Sequence, residues 1–302
     1  MANTAYSQEY PLGSPSVSGS NLTVDMMLAQ PTRINAYLSD LALKKYFAER
    51  IFTNGGGVSG GALVYTQLTT NDLFPTRAAQ EVAPGAEFPE VTFDRPTPLT
   101  AQVKKLGGKF RVTDEARERN DLSAIQSESV KLANDIVRQL HARALAELEA
   151  AIAGVSGTAT TLAGVSWADA VGLTISTSNK GGLPVADFGK AQLKADTFEF
   201  GTSYDLWIVN PQEMANFNTV YENASAVLAA NGITMISSNQ VTAGTAYAVA
   251  EGGVGQVRYE QPLQTTSTRE ELTESTWVKT SIRHVFAVTN PYNVLKFTGL
   301  AA

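Results

Sequence analysis

The sequence predicts an α+β protein, and three stretches carry that prediction. Residues 123–153, "SAIQSESVKLANDIVRQLHARALAELEAAIA", contain neither Gly nor Pro and set apolar residues at helical spacing. Residues 62–112 are extended, because Pro84, Pro89, Pro96 and Pro98 forbid a helix there. From Thr245 onward, long stretches alternate apolar and polar residues at the two-residue period of strands.

Taken along the chain, residues 1–20 are rich in Ser, Gly, Pro and Asn and form an arm without a core of its own. A short helix begins near Pro31, with Ile34, Leu38, Leu41, Tyr46 and Phe47 on one face, and its pattern stops at Asn54. "ALVYTQL", "EVAPGAEFPEVTFDRPTP" and "LTAQVKKLGGKFRVT" then make a hairpin-like excursion with a proline-rich tip. Its tip holds too few bulky apolar residues to fold on itself, so it must lie against another surface.

In the long helix, Leu132, Ile136, Leu140, Leu145, Leu148 and Ile152 build the apolar stripe. Ser123 is placed to cap it, Gly154 to end it, and Lys131–Asp135 and Arg143–Glu147 to pair on its wet face. Residues 155–245 alternate short helices ("PVADFGKAQLKA", "PQEMANFNTVY") with buried strands ("DLWIVN", "ITMISS"). "TAYAVA", "GQVRYEQPLQTTST" and "STWVKTSIRHVFAVTNPYNVLKFTG" follow as strands, with the acidic turn "REELTE" between the last two.

Composition narrows the function. With 302 residues the chain can bury about three quarters of its unfolded surface. A net charge of −6 argues against a protein whose main task is gripping phosphate backbones. The absence of cysteine removes disulfides, thiolate metal sites and a cysteine nucleophile, and two histidines, His141 and His284, argue against a multi-histidine metal centre. No signal peptide is read at the N-terminus, and Gly, Ser, Thr and Asn break the uncharged stretches Ala150–Ala168 and Asn223–Ala250, so no membrane partner is expected.

The segment "NGGGVSGGALVY" satisfies two catalytic patterns at once. Gly55-x-Gly57-x-x-Gly60 matches a dinucleotide fingerprint, but that motif needs a strand before it and a helix after it, and the order read here is reversed. Gly57-x-Ser59-x-Gly61 matches a nucleophile elbow with the same reversed flanks, and His284, its only plausible base, sits mid-strand. The carboxylates Glu270–Glu271 and Glu87–Glu90 lie in no cleft-forming context. The basic group Lys104, Lys105, Lys109 and Arg111 carries one aromatic, Phe110, and suits a neighbour's acidic edge better than nucleic acid. No catalytic, cofactor or metal residue is assigned.

The order of parts, with "EVAPGAEFPEVTFD…AQVKKLGGKFRVTDEARERND", resembles major capsid proteins of tailed bacteriophages with the Hong Kong 97-type fold. The resemblance implies an N-terminal arm (1–53), an extended β-hairpin loop (54–112), a spine helix of the peripheral domain (113–155), a mainly axial domain (156–245) and return strands of the peripheral domain (246–302). It further implies a structural virion protein, not an enzyme, assembled in the host cytoplasm as hexamers and pentamers into an icosahedral capsid around double-stranded DNA, which it contacts non-specifically. Expected partners are further copies of the chain, a separate scaffolding protein, a portal and cement proteins. An encapsulin-type nanocompartment subunit is the structural alternative, and a soluble α/β hydrolase using Ser59 the catalytic one.

Subunit contacts are expected at Arg77, Glu81, Glu87, Glu90, Asp94 and Arg95 on the loop, at Lys104 and Lys105, and at Arg269, Glu270 and Glu271 on the acidic turn. Gly55, Gly56, Gly57, Gly60 and Gly61 are expected to form a hinge between the arm's helix and the loop. Some relatives cross-link through a lysine on the loop. This chain has none between Lys45 and Lys104, which implies a non-covalent shell.

Overall fold

The computed structural model describes residues 34–35, 47–69, 72, 80–91, 96–119, 122–155, 159–173 and 179–301. In chain order its elements are α1 (Ala48–Ile51), β1 (Phe52–Gly57), β2 (Ala62–Thr66), β3 (Pro98–Gln102), β4 (Lys104–Thr113), α2 (Asp114–Glu118), α3 (Leu122–Gly154), β5 (Thr161–Ala163), α4 (Trp167–Ala170), α5 (Val185–Phe198), β6 (Leu206–Val209), α6 (Pro211–Val220), α7 (Ala224–Ala230), β7 (Thr234–Ser237), β8 (Thr245–Val249), β9 (Gly255–Glu270), β10 (Ser275–Val288) and β11 (Val294–Thr298).

The 33 residues of α3 span about 50 Å. Ile136, Leu140, Leu145, Leu148 and Ile152 are buried as the stripe requires, with Leu132 partly buried beside them. The helix starts at Leu122, one residue ahead of the expected cap Ser123. Its surface pairs are also one residue tighter than expected: Lys131 meets Glu128 and Arg138 meets Asp135, both at i,i+3.

Two sheets flank this helix. The elongated one has the order β1-β9-β10-β4, and the second has the order β5-β11-β8-β6-β7. This corrects the expected grouping of 246–302 as one set of return strands: β9 and β10 join the elongated sheet, whereas β8 and β11 join the second. Composition explains the split. β8 reads "TAYAV", buried on both faces, as an inner strand must be, while β9 alternates exposed and covered residues over much of its 16-residue length.

The second sheet lies between two cores. Leu206, Ile208, Tyr247, Val249 and Val294 face α3, and Trp207, Val209, Ala246, Ala248, Leu295 and Phe297 face a cluster built on Trp167, Phe188 and Phe217. β6 is therefore wholly buried, as "DLWIVN" suggested. "ITMISS" is not: β7 is an edge strand with exposed Thr234 and Ser237. Helices α5 and α6 begin at prolines as expected, α5 after Pro184 and α6 at Pro211, whose preceding Asn210 side chain accepts from Gln212 N–H.

Two polar clamps fix these layers. Lys296 Nζ reaches Glu149 of α3 at 2.6 and 2.8 Å, and the Tyr247 hydroxyl donates to the same carboxylate, tying the helix to the second sheet. On its outer side, the fully buried Asp187 accepts from Val165 N–H, Trp167 Nε1 and Lys190 Nζ.

β4 narrows the expected loop. It pairs along its length with β10, and its Phe110 and Val112 enter a third cluster with Ile125, Ala133 and Val278. A β-carbon on Gly108 would meet Leu132 of α3 at 2.5 Å, so this glycine lets strand and helix approach. The excursion proper is thus residues 58–103, whose base is the β2–β3 hairpin.

Candidate assembly surface

The glycine segment is divided between two structures. Gly55, Gly56 and Gly57 belong to β1, which runs parallel to β9, so the arm's helix hands over to a strand at Phe52 and not to a joint at Asn54. The expected five-glycine hinge is corrected accordingly. A β-carbon at Gly55 would meet Gln256 Oε1 at 2.3 Å, which makes this glycine a packing requirement. Gly56, inside β1 at the register shift between Asn54 and Gly57, and Gly60 and Gly61, in the connection to β2, have φ of 83°, 85° and 76° with open space around them, backbone angles that favour glycine.

A strand does precede these glycines, contrary to the sequence reading, but β2 and not a helix follows. Ser59 is exposed in the connection, and both ring nitrogens of His284 lack any hydrogen-bond partner, so the two form no catalytic pair. Among the described residues no cluster of three or more His, Asp or Glu side chains could hold a metal, and no helix is long and apolar enough to cross a membrane.

The excursion presents charge and apolar surface without a core beneath. Glu81, Glu87 and Glu90 are exposed and Phe88 is 83% exposed, next to a turn at Pro84–Gly85. Arg77, Asp94 and Arg95 lie outside the described residues.

At the opposite end of the elongated sheet, the β9–β10 turn is built differently from expectation. Arg269 makes a bidentate pair with Asp114 at 2.7 and 2.7 Å and also reaches Glu271 at 3.1 Å. The guanidinium donors hold the Asp114 carboxyl below the usual range. Glu270 accepts from Trp277 Nε1 and from Thr273 Oγ1, and its pKa is lowered chiefly by the Trp277 bond. Arg269 and Glu270 therefore serve the turn's own geometry. What the turn offers outward is Glu271 and Leu272, which is 97% exposed. Sequence reasoning passed over Leu272 because a single leucine among carboxylates carries no periodicity; only its seat at a turn apex exposes it.

Lys104 and Lys105 point to different places. Lys104 lines a polar cavity of about 270 Å³ with Tyr65, Arg143, Glu147 and His284, beneath the hairpin base. Lys105 borders a groove of about 360 Å³ on the other face of the sheet, with Lys109 and Lys279. The projecting hairpin and the exposed turn leave charged and apolar side chains at both extremities of the long sheet.

Over residues 96–297, about two thirds of its length, the sequence matches the family described as phage capsid protein. The chain belongs to the phage capsid protein family. Solved capsid structures have the same fold. The virus-like particle from Pyrococcus furiosus aligns at TM-score 0.58 and 12% identity over 88% of this chain and 98% of its own. The capsid of cyanophage P-SCSP1u aligns at 0.59 and 14% identity, covering 84% and 88% of the two chains. The capsid of Myoviridae phage XM1 aligns at 0.51 and 12% identity, covering 84% and 90%. No curated protein matches the sequence. This phage capsid protein thus has the Hong Kong 97-type fold expected from its order of parts.

Proposed function

We propose that the chain is the major capsid protein of a tailed phage and assembles as hexamers and pentamers into an icosahedral shell enclosing double-stranded DNA. The observation that carries this reading is the family match from the base of the extended segment through both sheets. In it the elongated sheet and α3 form a peripheral domain, the second sheet with its outer helices an axial domain, and 58–103 reaches onto an adjacent subunit. The protein acts by binding its own copies and has no catalytic role. Many modest contacts, each repeated by symmetry, hold the shell, and a separate scaffolding protein, a portal and cement proteins complete the particle.

The second reading, a nanocompartment shell subunit, draws on the Pyrococcus furiosus particle, which is matched along nearly its whole chain. Electron microscopy of the protein expressed alone, and of particles from lysates producing phage, distinguishes the readings. Shells or capsomers in the first and DNA-filled shells in the second support a virion protein. Shells that never contain DNA favour the compartment, and a monomer that stays unassembled under every condition refutes both.

A further inference from the structure

The polar cavity beneath the base of the β2–β3 hairpin is walled by three parts of the chain. Register sets Lys104 of β4 directly opposite His284 of β10. Both lie on the face of the elongated sheet turned toward α3, since the strand period aligns Lys104 with Leu106 and His284 with Ile282 and Phe286. The helix contributes Arg143 and Glu147, and the hairpin contributes Tyr65, Thr100 and Gln102.

Two observations set this cavity apart. Buried polar groups normally have a hydrogen-bond partner, yet His284 is 1% exposed, lines the cavity and has both ring nitrogens unpartnered. Arg143 and Glu147, four residues apart on α3, are spaced to pair with each other. They do not: the ion pairs of α3 among the described residues are Lys131–Glu128, Arg138–Asp135 and Glu149–Lys296. Lys104 makes none either. Burial, and after it the Arg143 charge, lowers the pKa of His284, while burial, and after it the Glu147 charge, raises that of Tyr65. The imidazole is thus neutral and the phenol protonated at neutral pH, so each offers a donor beside two cations.

Size and chemistry select the ligand. The volume of about 270 Å³ holds about nine waters at about 30 Å³ each, which suits a small polyatomic ion and falls short of a drug-sized ligand. Guanidinium, ammonium, phenol and imidazole donors match an oxyanion. The Glu147 carboxylate only accepts, so it repels a bare oxyanion and favours one that carries its own proton. Phosphate at neutral pH keeps at least one proton, and sulfate keeps none.

We propose that the cavity is a binding site for inorganic phosphate, held by Lys104, Arg143, His284 and Tyr65, with the phosphate O–H donating to Glu147. A phosphate there ties the hairpin base to α3 and the elongated sheet. The site lies within one chain, so the proposal stands apart from the shell reading.

Calorimetric titration of the full-length chain in phosphate-free buffer tests it. Inorganic phosphate should bind saturably, and sulfate at equal ionic strength about tenfold more weakly or worse. Arg143→Gln and Lys104→Gln, both at exposed positions, should each weaken phosphate about tenfold. His284→Leu, which leaves the charges in place, should weaken it severalfold. Glu147→Gln should bring sulfate close to phosphate, a change of selectivity that a merely structural role would not produce. Added phosphate should also slow amide hydrogen exchange in β2 and β3. Absence of saturable binding up to about 10 mM, or wild-type affinity in Arg143→Gln and Lys104→Gln, overturns the site. Equal binding of sulfate by the wild-type chain overturns the role of Glu147 and the choice of phosphate with it. A short single-stranded oligonucleotide that displaces phosphate would make this a site for phosphodiesters and equally overturn the proposal.

Discussion

His284 is 1% exposed on β10, and its neutral ring sits edge-on to Phe286 with neither nitrogen hydrogen-bonded. Burial, with the Arg143 charge as the smaller cause, pushes its pKa down from 6.5 to about 4. His141 is likewise pushed down to about 4 by burial, where its Nε2 accepts from Phe47 N–H at 3.1 Å. A base with a depressed folded pKa leaves the unfolded chain binding more protons between the two values. The stability it contributes is complete above about pH 6.5 and drains away as pH falls toward 4, on the order of 3 kcal/mol for each histidine. Thermal melts should therefore show the midpoint falling through that window. His284→Leu removes one titration and no hydrogen bond, so the variant should match wild type at pH 7.5 and melt higher than wild type at pH 5. A parallel decline of both proteins would refute the assignment. The sequence showed a histidine mid-strand; that its imidazole is unpartnered depends on what β2, β3 and α3 place around it.

At the scale of elements, the glycine run that spans the end of β1 and its connection to β2 is where local chemistry decides. Gly56 and Gly60 hold positive φ in open space, so alanine there clashes with nothing and costs about 1–2 kcal/mol of backbone strain at each site. The double variant Gly56→Ala, Gly60→Ala should fold with a modestly lowered melting temperature. Its particle yield should fall more steeply than its stability, because the hairpin's aim changes. Normal particles from this variant would remove the connection from any role in assembly. Legibility varied with how local the determinant is. The α3 helix was plain because an unbroken apolar stripe is a property of the stretch itself. The end of the arm's helix was misplaced because "FTNGGG" has the composition of a joint, and only the parallel partner β9 makes it a strand. For the same reason "LGGKFRVT" reads as a strand of the excursion, and only its pairing with β10 assigns it to the elongated sheet.

For the whole molecule, the lysine-free loop carries the sharpest consequence. With no lysine between Lys45 and Lys104, the excursion has no amine to attack a neighbour's side chain. Mature particles boiled in detergent should run as a single band near 32.2 kDa, and a ladder of covalent oligomers would contradict a non-covalent shell. The family relationship also fits the placement of charge. The low charge fraction, 17%, goes with a predominantly apolar buried core, and the excursion and the turn at Glu271–Leu272 present exposed carboxylates.

By itself, the sequence determined the fold class, the long helix, the extended excursion and the family, because each rests on a pattern written in contiguous residues. Periodicity, proline spacing and glycine runs act over a few residues and survive without a partner. Only the tertiary structure decided that β8 and β11 leave the long strands for the second sheet, that Arg269 is taken up by Asp114, and that Lys105, Lys109 and Lys279 share one groove. Those outcomes depend on which strands pair and in what register, and pairing joins residues as far apart as Lys109 and Lys279. A side chain's availability to a neighbour is settled by that pairing, whereas its chemistry is set in the chain.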